Sequence, residues 1–360
     1  MQAVELVLRS FRNLADAALE LPADGVALIG PNGHGKTNLL EALAYPVLFR
    51  SVRGAPDREV GQFGGPGFQV GVTTASGSNV VATYYAPQRR KRITIDGEEQ
   101  ATIATAIGRW LAVGFFPTDL VLVQGGAAER RRWLDRMLSL ADSTYLEALM
   151  RYRGALAQRN AALRTANIAA ADAFNPALAV AGSALARGRR RWADGAASRW
   201  QAELATLGEA AAVTLRYRGD EALDEAGAWE ERLIASRSRD ITRGQTHVGP
   251  HRDDVVLGLG GHTLRHYGST GQQRTAAIAL RLLELETLAD ARQVRPALLV
   301  DDVFAELNHD RQRRLAMRLV ARPGQRIVTA PRAEELPAEL DLPRWDVQHG
   351  MIHPVAAAAA

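Results

Sequence analysis

The amino-acid sequence predicts an α/β fold that is interrupted by a mainly helical second domain, and three observations lead to this prediction. Residues 26–29 are an apolar run that ends in a glycine-rich turn and is followed by a helix-like pattern. Residues 296–300 form a second apolar run, which ends in two aspartates. Between the two runs, residues 120–212 are rich in Ala, Leu, Arg and Glu at helical spacing, which is typical of an inserted helical domain.

The N-terminal elements are predicted as two strands and a helix. AVELVLRSFRNL, at residues 3–14, opens as a strand, and the apolar run at 26–29 is a second, buried strand. The helix after the glycine-rich turn is predicted from Asn38 to Ala44, because Pro46 lacks the N–H group that would continue it.

Two further regions carry strand patterns. Residues 68–99 alternate in polarity and contain turn signals at 76–79 and 96–97, which predicts antiparallel hairpins. Strand-like sequence returns at residues 211–219 and 253–264, after the helical insertion. The insertion is too short and too poor in sustained heptads for a long coiled-coil arm. The C-terminal alanine run is expected to be a disordered tail without an assigned role.

GPNGHGKT, at residues 30–37, matches the G-x-x-x-x-G-K-[ST] pattern of a phosphate-binding loop. In a strand–loop–helix context, the N–H groups of the glycine-rich turn and of the helix N-terminus bind anionic phosphate. Of the 44 lysines and arginines, only those at positions 36 and 91 are lysine. A compact ammonium fits between phosphates where a broad guanidinium does not, so a lysine at 36 supports phosphate contact. We expect nucleotide contacts from Gly30, Asn32, Gly33, Gly35, Lys36, Thr37 and Asn38.

PALLVDDVFAEL, at residues 296–307, is a predicted strand that ends in two carboxylates. Asp301 is placed to bind Mg²⁺, usually through water, and the hydroxyl group of Thr37 is a second metal ligand. Asp302 is placed to orient or deprotonate the water that attacks a phosphate. The alternative is that the two aspartates only cap the end of a strand.

STGQQ, at residues 269–273, precedes a strongly amphipathic helix pattern. A serine hydroxyl, a glycine N–H group and a helix N-terminus then point in one direction, which predicts a second anion site. Taken alone, such a segment is commonly a helix N-cap. Its position ahead of the aspartate-ended strand, in a chain with a phosphate loop, favours the anion site, with contacts from Ser269, Gly271 and Gln272. Catalytic roles are expected for Lys36, Ser269 and Asp302.

Composition narrows the possible function classes. The chain has 360 residues, 47% hydrophobic and 23% charged, which is typical of a globular protein of about two domains. Its lack of cysteine excludes a disulfide scaffold, a thiolate metal site and a cysteine nucleophile. Arg9 and Arg12 interrupt any secretory signal, and no long apolar span occurs, so we expect a cytoplasmic protein without membrane association. A net charge of +4 and a pI near 9.7 permit nucleic-acid binding without requiring it.

The ordered set GPNGHGKT, STGQQ, LLVDD and AELN resembles the ATP-binding-cassette (ABC-type, SMC-like) class of ATPases. Within that class the chain resembles the RecF family of recombination mediators over nearly its whole length, with a weaker match in the helical middle and toward the C-terminus. The segments that carry this resemblance are LRSFRNL at 8–14, FRS at 49–51, FFPTDLVLVQGG at 115–126, RRRWLD at 130–135, QRNAAL at 158–163 and GPHRDD at 249–254.

The resemblance implies an ABC-type P-loop ATPase head formed by residues 1–118 and 246–360, with residues 119–245 as the helical arm or second lobe. It implies ATP and Mg²⁺ as cofactors and an ATP-dependent homodimer, in which the serine segment of one copy caps the γ-phosphate held by the other copy. It also implies binding to duplex DNA and to gapped DNA with single-strand junctions, where RecO and RecR help to load RecA. Arg12 and Asn13 are candidate adenine contacts on the same basis.

Three positions depart from the pattern of related cassettes. Asn308 stands where an aspartate is usual, and Thr329 stands in the region where transporter cassettes carry a histidine. Asp302 stands where faster cassette ATPases have glutamate. Because a side chain that is one methylene shorter holds the water less well, we expect slow, DNA-dependent ATP hydrolysis that suits a timed switch.

Two other functions explain part of the sequence. The nucleotide-binding subunit of an ABC transporter has the same cassette motifs, but it would lack the LRSFRNL opening and the helical insertion. A metabolic P-loop kinase does not explain STGQQ. A metal site at His247 and His251 is not expected, because Gly249 and Pro250 prevent the helix that would align the two imidazoles.

Three clusters of cations remain open in their interpretation. Each cluster either contacts DNA phosphates or forms solvated surface. The clusters are Arg89–Arg92 (which includes Lys91), Arg130–Arg132 and Arg189–Arg191.

Overall fold

The computed structural model describes residues 1–355, apart from the side chain of residue 222; the alanine run predicted as a tail lies outside this range. The strands are β1 (Ala3–Arg9), β2 (Ala17–Glu20), β3 (Gly25–Ile29), β4 (Gly67–Thr74), β5 (Asn79–Tyr85), β6 (Arg90–Ile95), β7 (Glu98–Glu99), β8 (Ala112–Phe115), β9 (Val213–Arg218), β10 (Asp254–Leu259), β11 (His262–Thr263), β12 (Ala297–Val300), β13 (Arg326–Ala330), β14 (Arg344–Gln348) and β15 (Met351–Pro354). The helices are α1 (Lys36–Leu48), α2 (Ile103–Ala106), α3 (Val121–Gln124), α4 (Ala127–Ala141), α5 (Ser143–Arg164), α6 (Ile168–Ala173), α7 (Asn175–Thr206), α8 (Ala226–Ala235), α9 (Arg237–Arg243), α10 (Leu264–Tyr267), α11 (Thr270–Arg292) and α12 (His309–Val320).

The chain forms two compact units. Unit 1 contains Met1–Asp119, Thr206–Gly208 and the described residues from Glu284 onward, and unit 2 contains Leu120–Ala205 and Glu209–Leu283. Residues 246–283, which the sequence assigns to the ATPase head, therefore pack within unit 2. Compact units are groups of contacting residues and are not functional domains, so the domain boundaries at 118/119 and 245/246 stay a prediction.

Unit 1 is built on two sheets. One sheet has the strand order β2-β1-β4-β5-β6-β7, and its neighbouring strands are antiparallel, as the hairpin signals predict. The other has the order β15-β14-β3-β13-β12-β8, and all its strands are parallel except β15. Strands β3 and β12 are apolar and almost wholly buried, which is the pattern of parallel strands inside an α/β layer. This sheet brings the two predicted apolar runs together, with β13 between them.

Helix α1 extends beyond its predicted ends. The sequence predicts a helix from Asn38 to Ala44 that Pro46 terminates. The helix instead begins at Lys36, continues through Pro46 and ends at Leu48, with Phe49 in the left-handed conformation as its C-cap. The prediction of the end was wrong because a proline in the last turn removes a single intrahelical hydrogen bond. Burial of this turn of the helix, Tyr45 and Val47 included, offsets that loss.

Unit 2 combines long helices with a three-stranded antiparallel sheet of order β11-β10-β9. Helix α7 begins at Asn175 and is 32 residues long. Within the described residues, no helix is long and apolar enough to cross a membrane.

A buried ion pair holds the helices of unit 2 together. Arg159 and Asp240 are both fully buried, and the guanidinium Nη1 of Arg159 donates to Asp240 Oδ2 at 2.8 Å. The same guanidinium donates to Asn175 Oδ1 at 2.9 Å and to Thr246 Oγ1 at 2.7 Å. These bonds join α5, α7, α9 and the segment after α9, so one desolvated cation organises four parts of the unit.

We predict that Asp240→Ala lowers the free energy of unfolding by about 3–5 kcal/mol, because it leaves the Arg159 charge buried and unpaired. Urea denaturation measures this change. The matched control is Glu147→Ala, which breaks an exposed ion pair with Arg151 and should change the free energy of unfolding by about 0.5 kcal/mol or less. Equal effects of the two substitutions would contradict the role assigned to the buried pair.

Candidate nucleotide site

The glycine-rich turn between β3 and α1 has a backbone shape that its glycines permit. Gly35 has φ +117°, and a Cβ atom there would lie 2.8 Å from Leu14 Cδ2. Gly30 has φ +158°, and a Cβ atom there would lie 2.1 Å from the carbonyl oxygen of Val347. Side chains at these two positions would push the turn away from its neighbours. The turn therefore presents backbone N–H groups at the N-terminus of α1, as a phosphate cradle requires.

Lys36 is the first residue of α1, directly after this turn, and is 3% exposed. Its ammonium Nζ donates to the carbonyl oxygens of Gly30 at 2.6 Å and Pro31 at 3.2 Å. An ammonium group has three N–H donors, and these two carbonyls accept two of them. The cation is thus held by the backbone of the turn, next to the N–H groups that a phosphate would contact.

The structure brings the predicted metal ligands Thr37 and Asp301 together. The Thr37 hydroxyl donates to Asp301 Oδ1 at 2.8 Å, across 264 positions of the sequence. A hydroxyl and a carboxylate are the oxygen ligands that Mg²⁺ prefers, so the pair fits this ion. Within the described residues, no group of three or more His, Asp or Glu side chains is arranged to hold a metal. Phosphate oxygens and water would therefore complete the coordination shell of Mg²⁺.

Asp301 is 4% exposed, and this burial raises the pKa of its carboxyl group to about 6. The hydrogen bond from Thr37 opposes the increase, and the neighbouring charge of Asp302 adds to it. The pKa is raised because a buried carboxylate loses solvation in its charged form. A divalent cation bound here would offset this cost.

Asp302 has an unusual backbone conformation that Thr329 supports. Its φ is +47°, in the left-handed region that non-glycine residues seldom adopt. The backbone N–H of Asp302 donates to Thr329 Oγ1 at 2.9 Å, and the Thr329 hydroxyl lies 2.8 Å from Asp302 Oδ1 and 3.1 Å from Asp301 Oδ1. One hydroxyl hydrogen thus serves two carboxylates. The sequence does not predict this role, because Thr329 and Asp302 are 27 positions apart.

The two candidate adenine contacts have different surroundings. Asn13 lies at the phosphate loop: it donates to the Gly33 carbonyl at 3.3 Å and accepts a hydrogen bond from Asn38 Nδ2 at 2.6 Å. Arg12 instead binds Glu41 on α1, with Nε at 3.0 Å and Nη2 at 2.8 Å from the two carboxylate oxygens.

Glu41 is a residue that sequence reasoning missed. It is fully buried and also accepts a hydrogen bond from Ser51 Oγ at 2.5 Å. The signal in the sequence was a single acid inside the apolar NLLEAL segment. Its contacts tie α1, which begins at the phosphate loop, to the segments that contain Arg12 and Ser51.

In unit 2, Ser269 caps the N-terminus of α11. The N–H of Gln272 donates to Ser269 Oγ at 3.3 Å, and the N–H of Ser269 donates to Gln272 Oε1 at 2.9 Å, which is a capping box. Ser269 and Thr270 are exposed, and Gly271 lies in the first turn of this long helix. An exposed helix N-cap can also bind an anion, so the two interpretations of this turn are compatible. Phosphate contact by Ser269, Gly271 and Gln272 stays a prediction.

His247 and His251 both have structural partners in unit 2. His251 Nδ1 lies 2.6 Å from the Tyr152 hydroxyl and Nε2 lies 3.0 Å from the Thr246 carbonyl. Burial lowers the pKa of His251 to about 4, so its imidazole is neutral at pH 7. His247 Nδ1 lies 2.9 Å from Asp240 Oδ1.

The three cation clusters contain many structural ion pairs. Arg130 is buried and binds both carboxylate oxygens of Asp254, at 2.8 and 2.9 Å. Arg189 is buried and donates to Asp135 Oδ1 at 2.8 Å. In the first cluster, Arg90 and Arg92 pair with Glu99, at 3.2 and 3.0 Å, and Lys91 pairs with Asp57 at 2.7 Å. Charge runs in this sequence therefore do not identify the free cations.

Asn308, the departure after the aspartate strand, is the N-cap of α12 and accepts a hydrogen bond from the Arg311 N–H at 3.0 Å. Asparagine and aspartate cap helices about equally well, so the substitution preserves this local structure.

Comparison with known proteins gives close relatives. The chain is 36% identical over 319 residues to the DNA replication and repair protein RecF of Moorella thermoacetica, covering 87% of this chain and 85% of that protein. It is 35% identical over 377 residues to the protein of the same name from Anaeromyxobacter sp. strain Fw109-5, covering 99% of this chain and 100% of that protein. No family model matches the chain.

Solved structures give the same fold. A structure of the recombination mediator protein RecF-ATP in the RecFOR pathway superposes with a TM-score of 0.89 at 26% identity, covering 99% of this chain and 98% of that chain. The Smc head domain from Pyrococcus furiosus superposes with a TM-score of 0.58 at 14% identity, over 98% of this chain and 96% of that one. The ABC-type ATPase fold predicted from the sequence is confirmed.

Proposed function

The chain belongs to the RecF family of DNA replication and repair proteins, and from this premise we propose that it is an ATP-operated DNA-binding protein of recombinational repair. The observation that carries the proposal is the contact of Thr37 with Asp301 beside the buried Lys36, which joins a phosphate loop to a metal-ligating carboxylate. Family membership also decides against the transporter subunit, whose motifs the chain shares.

Each residue of the site has a role in this proposal. Lys36 neutralises phosphate charge, and the N–H groups of Gly33, Gly35 and the start of α1 bind phosphate oxygens. Thr37 and Asp301 hold Mg²⁺, which supplies charge neutralisation to the phosphates when bound. Asp302 orients a water molecule and accepts its proton, while Thr329 holds the Asp302 carboxylate in place. The short reach of an aspartate makes turnover slow, so hydrolysis acts as a timing switch that DNA stimulates.

The exposed serine segment completes the site in a second copy of the chain. One chain has one phosphate loop and one such segment, so two chains related by a two-fold axis form two complete sites. ATP then favours the dimer on duplex and gapped DNA, and hydrolysis releases it. The solved relative carries the name of the RecFOR pathway, which supports RecO and RecR as partners. We further propose that RecA is the protein that these partners load onto single-stranded DNA.

DNA binding should depend on nucleotide binding. We predict that Lys36→Arg keeps the fold but abolishes ATP-dependent DNA binding, because the guanidinium crowds the phosphates. Fluorescence anisotropy of a labelled gapped duplex, with and without ATP and Mg²⁺, measures this loss alongside nucleotide affinity. DNA retention at the wild-type level in ATP would overturn the proposed function.

Thr329→Val should slow ATP hydrolysis about tenfold or more without weakening ATP binding, because the isosteric side chain cannot donate to Asp302. Thr329→Ser keeps the hydroxyl group and should restore most of the rate. Asp302→Asn removes the base, so its hydrolysis rate gives the lower limit for this series. Steady-state phosphate release and nucleotide titration separate kcat from binding, and an unchanged kcat in Thr329→Val would contradict this role.

Dimer formation should require the serine segment. Ser269→Arg leaves Lys36 and Thr37 intact, so it should bind ATP, yet it should fail to dimerise or to hydrolyse ATP. Light scattering in ATP and in ADP, on the wild type and this variant, measures the change in mass. A wild-type protein that stays monomeric in saturating ATP and Mg²⁺ is incompatible with the dimer mechanism.

A further inference from the structure

One face of the three-stranded sheet in unit 2 carries cations outside the clusters visible in the sequence. Along β9 the exposed residues alternate with buried ones, so Arg216 and Arg218 lie on the same exposed face. The sheet register pairs Arg218 with Asp254 and Arg216 with Val256. Immediately after β11, helix α10 adds Arg265 and His266, both exposed. Four cationic or titratable side chains thus come from two separate segments of the chain.

A small cavity lies within this face. Its volume is about 160 Å³, and its lining includes Arg218, Val256, Thr263, Arg265 and His266. Asp254 is the acid in this lining, and its charge is already neutralised by the buried Arg130, which binds both of its oxygens. The cavity therefore has a net positive charge.

Three of these four side chains lack protein partners among the described residues. No hydrogen bond or ion pair within residues 1–355 holds the side chains of Arg216, Arg265 or His266. Arg218 has a single distant ion pair, 3.6 Å from Asp254 Oδ2, and its side chain is 74% exposed. By contrast, Arg130 and Arg189, in the clusters visible in the sequence, are buried in ion pairs. Free arginines gathered on one face are suited to bind an anion.

The arrangement favours a polyanion over a single phosphate. Residues 216 and 218 are two apart on a strand, so their Cα atoms are about 6.6 Å apart, and their guanidinium groups can contact successive anionic groups. In α10, directly after Arg265 and His266, Tyr267 is 66% exposed. Cations with a neighbouring exposed aromatic side chain are typical of nucleic-acid surfaces.

We propose that this face, defined by Arg216, Arg218, Arg265 and His266, binds the phosphate backbone of DNA. The proposal rests on the proposed function, because it assigns the surface through which the protein holds DNA. It assigns DNA contact to arginines that sequence clustering does not single out.

The test compares two charge-matched double variants. Arg216→Gln/Arg265→Gln removes two cations from the sheet face, and Arg89→Gln/Arg191→Gln removes two exposed cations from the clusters visible in the sequence. Affinity for a labelled gapped duplex is measured in ATP and Mg²⁺ between about 50 and 200 mM salt. Circular dichroism and nucleotide affinity verify that each variant is folded.

The sheet-face variant should bind DNA at least about tenfold more weakly. Its plot of log K against log salt should become less steep by about 1.8, because each lost phosphate contact contributes about 0.9 to the steepness. The charge-preserving Arg216→Lys/Arg265→Lys should keep the wild-type slope. The cluster variant should remain within about twofold of the wild type.

Two results would overturn the proposal. In the first result, the sheet-face variant keeps the wild-type salt dependence, or the two double variants reduce the salt dependence equally. The protein then binds DNA, but this face is not the DNA surface. If the wild type itself shows no ATP-dependent DNA binding, the proposed function fails, and this inference fails with it.

Discussion

The hydrogen bond between Thr37 and Asp301 is the contact on which the candidate site depends. It joins the first turn of α1 to the end of β12, although 264 positions separate the two residues. The contact exists because β3, β13 and β12 are parallel neighbours, so the carboxyl ends of β3 and β12 meet at one edge of the sheet. A long insertion between these strands is tolerated, because the entropic cost of closing a loop grows slowly with the length of the loop.

The same edge of unit 1 concentrates features that are unfavourable for stability. Asp301 has a buried carboxyl group with a raised pKa, and Asp302 has a backbone in the left-handed conformation. Both features are held by threonines on neighbouring elements: Thr37 donates to the Asp301 carboxylate, and Thr329 accepts from the Asp302 N–H and donates to its carboxylate. Such strain and desolvation persist where the surrounding structure compensates for them, and they cluster at functional sites.

Arginine has two separate uses in this chain. Arg130, Arg159 and Arg189 are buried and bind carboxylates, which suits a planar group with several donors. Arg216 and Arg265 remain exposed without protein partners among the described residues. Lysine is also not specific to one role, because Lys91 pairs with Asp57 whereas Lys36 lies in the phosphate loop. The rarity of lysine is therefore consistent with the phosphate loop at Lys36, but it does not identify that loop without the motif.

Features that arise from neighbouring residues could be predicted from the sequence alone. The phosphate loop, the two aspartates after β12 and the hairpins follow from motifs and periodicity, which are local. The ABC-type fold followed from the order of the motifs. The long-range contacts depend instead on how the elements pack, which pairs Thr329 with Asp302, Glu41 with Arg12, and Arg130 with Asp254. Periodicity shows which face of an element is buried, but it does not show which charge lies opposite. The packing of distant strands and helices sets the partner of each charged side chain. It therefore distinguishes the arginines that stabilise the fold from those that remain free to bind an anion.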